Sequence, residues 1–194
     1  INQKYNKFSF FYFKLGWLFG FGYFISSLYW LSIALTFDAD LKILIPVSLI
    51  LIPSFLAIFY GLALYFFSYF LNYNNVSLAL IFSMMFAIFE FLRGAIFSGF
   101  PWNVWAYTWS WKPEILQSLF YFGFHSFNLL CIVVYCTPLL LIFKKKSNFI
   151  LFASIGLVFF GNYIYGSSVI KKNDKTLLNF KSNSENSVYT KIIS

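Results

Sequence analysis

The chain has 194 residues, 60% hydrophobic and only 10% charged, and its 29 Phe, 14 Tyr and 6 Trp set it far from soluble compositions. A soluble helical bundle needs charged outer faces, which this sequence lacks. The formal charge of +8 does not point to nucleic acid, because the Lys residues gather at the edges of apolar runs rather than along one helical face.

The first apolar segment runs from about 15 to 37, after Lys4, Lys7 and Lys14, and ends at the polar patch DADLK. Gly16, Gly20, Gly22, Ser26 and Ser27 give it a small-residue side suited to close helix contact in lipid. The second, 43–70, contains Pro46 and Pro53 and is long enough to require tilt or a kink. The third, 76–97, carries Glu90 and Arg93, the only formal charges between Lys42 and Lys112. After it comes SGFPWNVWAYTWSWKPE, and then a fourth segment, 115–143, closed by Lys144, Lys145 and Lys146. The fifth, 149–170, gives way to a polar, Ser- and Asn-rich tail, 171–194, expected to be a linker whose end, Ser187 to Ile193, alternates enough for a first strand. Each apolar run reaches the roughly 20 residues that span a bilayer, so the fold class expected is an all-α polytopic membrane protein with about five transmembrane helices in 1–170.

Positive charge in short loops is retained on the cytoplasmic side. Five crossings put 1–14 and 144–148 on that side, and 98–114 and 171–194 on the other, the periplasm of a bacterial inner membrane. The chain begins at Ile1 and stops at Ser194, in VYTKIIS, and both ends are read as cut.

Four features bear on chemistry. A charge within a membrane helix costs at least about 2.5 kcal/mol on insertion scales, so Glu90 and Arg93, three apart on one helical face, form a paired or functional site. They either make an ion pair that fixes the helix, or leave Arg93 to a lipid phosphate, which a guanidinium binds bidentately. Trp102, Trp105, Tyr107, Trp109 and Trp111 fit an interfacial aromatic belt, but the order Gly99, Phe100, Pro101, Trp102 builds a defined turn. Cys131 and Cys136, five apart in an apolar run, form neither a redox nor a zinc motif, so neither a metal nor a cofactor is expected. His125, the single histidine, is expected as a packed helix residue.

EFLRGAIFSGFPWNVWAYTW resembles the EFLRGW-x-x-TGFPW-x-x-x-GY signature of the apolipoprotein N-acyltransferase family. GFGYFISSLYWLSIAL is similar to that family's third membrane helix, with Trp30 at the matching Trp, and GFHSFNLLCIVV to its sixth, with Gly123 and Asn128 in step. Ala95, Ser98 and the Trp105-Ala106 pair depart from the pattern.

The resemblance, from about Leu15 to Ile170, implies an eight-helix membrane domain with a nitrilase-like α/β domain on the periplasmic side between the seventh and eighth helices. The five helices here would be the third to seventh. The implied reaction moves an acyl chain from a phospholipid, through a Cys thioester, to the α-amino group of a diacylglyceryl-cysteine on a lipoprotein. The family's Glu, Lys and Cys triad belongs to the nitrilase-like domain and is expected beyond Ser194, so this chain is expected to hold no catalytic residue and to be inert alone. Glu90, Arg93, Gly99, Phe100, Pro101, Trp102 and Trp30 would line a gate for the phospholipid donor and the lipoprotein acceptor. The rival expectation is a non-enzymatic polytopic protein such as a transporter subunit, with Glu90 and Arg93 along its pathway.

Overall fold

The computed structural model describes residues 2–96 and 103–183. Its helices are α1 (Asn2–Leu28), a short α2 (Leu31–Ala34), α3 (Ile45–Phe67), α4 (Asn75–Ile96), a short α5 (Pro113–Leu116), α6 (Leu119–Cys136) and α7 (Lys146–Asn183). Tight 3-10 turns flank α3 at Lys42–Leu44 and Ser68–Phe70, form Trp105–Trp109, and extend α6 through Thr137–Phe143. No strand occurs among the described residues. Five helical stretches are long and apolar enough to cross a membrane: Phe8–Leu28, Lys42–Phe70, Asn75–Ile96, Leu119–Phe143 and Lys146–Asn179. Leu157, Val158, Phe160 and Ile164 on α7 stand exposed, as lipid-facing side chains do. The chain is an all-helical polytopic membrane protein.

Local chemistry marks three of the helix ends. Asn74 caps α4, its Oδ1 accepting the Ser77 N–H at 3.0 Å. Pro46 lies in the first turn of α3, where its missing N–H costs nothing, while Pro53 lies inside the same helix. At the end of α1, Ser26 and Ser27 both donate to the Tyr23 carbonyl, at 2.9 and 2.7 Å, competing with the helical ladder just before it stops.

Three segment boundaries differ from the sequence expectation. The first helix begins at Asn2, not near 15, and ends at Leu28 rather than 37. FSFFYFK has no helix breaker, and Lys14 stays within the span with its ammonium 5.0 Å from the Phe10 ring centroid, as a snorkelling lysine can. The span therefore includes part of the 1–14 flank. The fourth is not one rod: α5 and α6 are separate, and Gly123 takes φ 73, ψ 168 inside α6, a conformation open to glycine and strained for other residues. The fifth helix does not stop at 170. It continues to Asn183, because 167–183 holds no Gly or Pro and is rich in Lys, Leu and Asn that the helix tolerates on a solvated face. Residues 171–183 are thus helical rather than a linker. The Ser187–Ile193 strand expectation lies outside the described residues, as does Ser194, beyond which the catalytic triad is expected.

The core forms where small residues let backbones meet. α1 packs most extensively on α3, α3 on α4, and α4 on α6. Gly16 and Gly20, one turn apart, face Ala57, Tyr60 and Gly61: a Cβ on Gly16 would run into the Tyr60 carbonyl oxygen, and one on Gly20 would lie 3.0 Å from Tyr60 Cβ. The contact is completed by the Trp17 indole, which donates to the Ser54 carbonyl at 3.0 Å. It buries Phe24, Leu28, Leu56, Tyr60 and Ala63 with Phe86 and Ile132.

Gly16→Ala is therefore expected to destabilise the chain by about 1–3 kcal/mol through overpacking. Gly156→Ala, where a Cβ meets nothing within 4 Å, should leave stability unchanged or raise it. Thermal midpoints of the two variants in detergent test this, and equal midpoints would show that α1 and α3 do not meet at Gly16.

Candidate functional site

Glu90 and Arg93 stand on one face of α4, and that face is turned fully inward, each residue being 1% exposed. Glu90 is held from two other helices. The Tyr60 hydroxyl of α3 donates to Oε1 at 2.7 Å, and the Asn128 side-chain amide of α6 donates to Oε2. One helical turn on, the Arg93 guanidinium lies over the Phe24 ring of α1, 5.0 Å from its centroid. The spacing does bring the two charges to one buried face, while the hydrogen bonds on the carboxylate come from Tyr60 and Asn128.

Asn128 does a second job. Its Oδ1 accepts the backbone N–H of Ala106 at 2.9 Å, so one amide joins the buried carboxylate to the segment that follows α4. A second tie comes from α1, where the Tyr23 hydroxyl donates to the Asn103 carbonyl at 2.9 Å. The Tyr23 ring stacks on Trp105, with centroids 5.1 Å apart, and on Tyr60 at 5.8 Å. Val104 and Ala106 are buried, in one cluster with Ile115, Phe127 and Cys131. Residues 103–106 are therefore part of the helical core, while among the described aromatic residues of this segment Tyr107 and Trp111 stay exposed, as interfacial anchors do.

The arrangement confers rigidity. A buried carboxylate with a donor on each oxygen holds α3, α4 and α6 in one register, and the Asn128 amide extends that order into the backbone at Ala106. Asn103 enters this segment at φ 43, in the left-handed region that Asn tolerates, so the chain turns sharply just after the Phe-Pro-Trp stretch. Gly99, Phe100, Pro101 and Trp102 themselves lie outside the described residues. Trp30 sits at the break between α1 and α2 and is half exposed.

Cys131 is a buried free thiol in the apolar cluster and Cys136 a half-buried one. Neither has the cationic surroundings that activate a thiolate nucleophile. His125 is exposed rather than packed away, with its ring edge-on to Phe91 at 4.8 Å.

Tyr60, Tyr23 and the bridging role of Asn128 were not legible as site features. Tyr60 is one tyrosine among 14 in an apolar run. Asn128 carries a usable signal, since an amide within an apolar helix needs partners, and a buried carboxylate is the kind of acceptor it finds.

The model of the apolipoprotein N-acyltransferase N-terminal domain matches residues 4–137, which contain this whole cluster. Among curated relatives, the apolipoprotein N-acyltransferase of Brucella melitensis is 39% identical over 129 residues, 66% of this chain and 24% of its own. That of Allorhizobium ampelinum is 36% identical over 156 residues, 80% and 29% of the two chains. That of Rickettsia prowazekii is 33% identical over 170 residues, 87% and 34%. The chain spans about a quarter to a third of the length of these relatives. No solved structure matches it. With the family domain covering most of the chain and the buried Glu90 cluster inside the matched residues, the chain belongs to the apolipoprotein N-acyltransferase family.

Proposed function

We propose that this chain is the substrate-guiding membrane part of an enzyme that transfers an acyl chain from a phospholipid to the N-terminal diacylglyceryl-cysteine of lipoproteins. The observation that carries the reading is the Glu90–Asn128–Ala106 connection, which anchors the residues that follow the Phe-Pro-Trp stretch to the helical core. A mouth that admits acyl chains must hold its shape against lipid, and a loop fastened by a buried carboxylate network does so. In this reading Glu90 and Arg93 position that mouth, Gly99, Phe100, Pro101 and Trp102 line it, and Trp30 contributes from the end of α1. The protein sits in a bacterial inner membrane with 98–114 and the region after α7 on the periplasmic side. The thioester chemistry falls to a nitrilase-like catalytic domain beyond Ser194, for which the greater length of the relatives leaves room.

A transport role draws no support from the helices. Among the described residues Glu90 and Arg93 are the only buried charged side chains, and both stand on α4, so no charged group on another helix continues a pathway from them.

The test uses the full-length gene product, purified in detergent with phospholipid and a diacylglyceryl lipopeptide acceptor. The expected result is a lipopeptide heavier by one acyl group, and no transfer by folded full-length protein would end the proposal. Trp102→Ala in the same protein is expected to lower transfer about 10-fold or more, an effect of the size that misplaced substrate produces, with the protein still membrane-inserted. Unchanged transfer would return Trp102 to the role of an interfacial anchor.

A further inference from the structure

A groove of about 570 Å³ lies between α6 and α7, within the range of small-ligand sites. Its wall is graded. Ser118, Tyr121, Asn162 and Tyr165 are among the residues at one end, where the Tyr165 hydroxyl donates to the Tyr121 hydroxyl at 2.9 Å and the Asn162 amide donates to the Ile115 carbonyl at 2.9 Å. Leu130 and Val158 lie deeper along the two helices, with Ser126 the polar side chain between the two levels. Phe127, buried against Val104 and Ala106 on one side, lines the groove on the other. Hydroxyls and an amide at one level with hydrocarbon beneath them match the ester and acyl levels of a single lipid.

Charge identifies the kind of lipid. Val158, Tyr165 and Lys172 follow at seven-residue intervals on α7, which keeps them on nearly one face. Lys172 is therefore about two turns, roughly 10 Å, beyond the tyrosine hydroxyls. It is exposed, as are Lys171 and Lys175, with Asp174 the one acid among them. From this we infer that the groove between α6 and α7 binds a phospholipid, one acyl chain lying along Leu130 and Val158, its ester region at Tyr121, Tyr165 and Asn162, and its anionic headgroup at Lys172.

This site stands apart from the acyl-transfer reading, since it asks only for a bound lipid and not for a reaction. The full-length protein is placed in nanodiscs of phosphatidylglycerol with a trace of phosphatidylglycerol bearing a diazirine on its acyl chain. Photolabelled peptides are expected to concentrate in 118–130 and 158–165. Val158→Trp and, independently, Leu130→Trp should each lower that labelling about five-fold with thermal midpoints unchanged, a modest loss of affinity. Lys172→Glu should lower it by about the same factor, as removal of one basic contact with an anionic lipid does.

Three results would overturn the inference. Labelling spread at equal density over the outer faces of α1 and α3 would mark ordinary boundary lipid. Equal labelling by a phosphatidylcholine probe would remove the anionic headgroup from the assignment. A benzophenone at position 158 that captured polypeptide instead of lipid would show that another part of the protein covers the groove. Labelling at the groove in a protein that transfers no acyl group would uphold this site while ending the acyl-transfer proposal.

Discussion

Glu90→Ala is expected to cause the largest loss of folded protein among single changes to the membrane helices. The substitution strands the Tyr60 hydroxyl and one arm of the Asn128 amide, and it empties the space of a side chain that is 1% exposed. Hydrogen bonds between membrane helices average only about 0.6 kcal/mol, so the bonds alone would not be decisive. The cavity and two unsatisfied buried donors, at about 1–3 kcal/mol each, bring the expected cost to several kcal/mol. It also leaves the Arg93 guanidinium without the nearby carboxylate on its own face, which adds to the cost.

Glu90→Gln separates the parts of this effect. Asn128 can only donate toward Glu90, because its Oδ1 is occupied by the Ala106 N–H. The Gln oxygen must then face Asn128 and its amide must face Tyr60, and a tyrosine hydroxyl can turn from donor to acceptor. Every bond can be remade, so Glu90→Gln is expected to keep nearly the wild-type thermal midpoint where Glu90→Ala loses it. The check is the pair of midpoints and monodisperse yields in detergent. Equal loss in both variants would mean that the negative charge beside Arg93, rather than the hydrogen bonds, holds the helices. A stable but inactive Glu90→Gln would give that charge a role in handling lipid.

What the sequence discloses here follows from which residues are chemically conspicuous. Glu90 and Arg93, the only two charges among the residues between Lys42 and Lys112, mark the site directly, since lipid leaves a charge no inconspicuous place. The spans of α3 and α4 are equally legible, bounded by Pro46 in the first turn and by the Asn74 cap. The start of α1 was concealed because Lys4, Lys7 and Lys14 mark a flank in any hydropathy reading, whereas a lysine on a helix can lie back over its neighbours, as Lys14 does over Phe10. The reach of α7 to Asn183 was concealed for the converse reason: a polar composition reports exposure, and an exposed helix and an exposed linker are composed alike. The partners of Glu90 depended on tertiary placement, since nothing local to Tyr60 or Asn128 distinguishes the neighbour each will meet.

Asn128→Leu is expected to release the segment at Ala106 while leaving the helices assembled. Leu keeps the branching and the number of side-chain heavy atoms of Asn and suits an apolar helix; its methyl groups are bulkier, so a small packing cost accompanies the loss of the bonds. Two are lost, the donation to Glu90 Oε2 and the acceptance from the Ala106 N–H. Tyr60 still holds the other oxygen of Glu90, so the junction of α3 and α4 keeps its tie. The Ala106 amide keeps none of its former partner, and a buried N–H without an acceptor favours conformations that reach water. Loss of a bond of about 1–1.5 kcal/mol should speed hydrogen exchange at Ala106 about 10-fold, with the amides around Phe86 in α4 unchanged. Peptide-resolved exchange across 103–112 measures it, and the same variant in the full-length protein should lose acyl transfer in proportion if a fixed mouth is what the network supplies. Unaltered exchange at Ala106 would show that the Tyr23 bond to Asn103 and the stacking on Trp105 suffice to hold the segment, and the carboxylate network would then serve the helices alone.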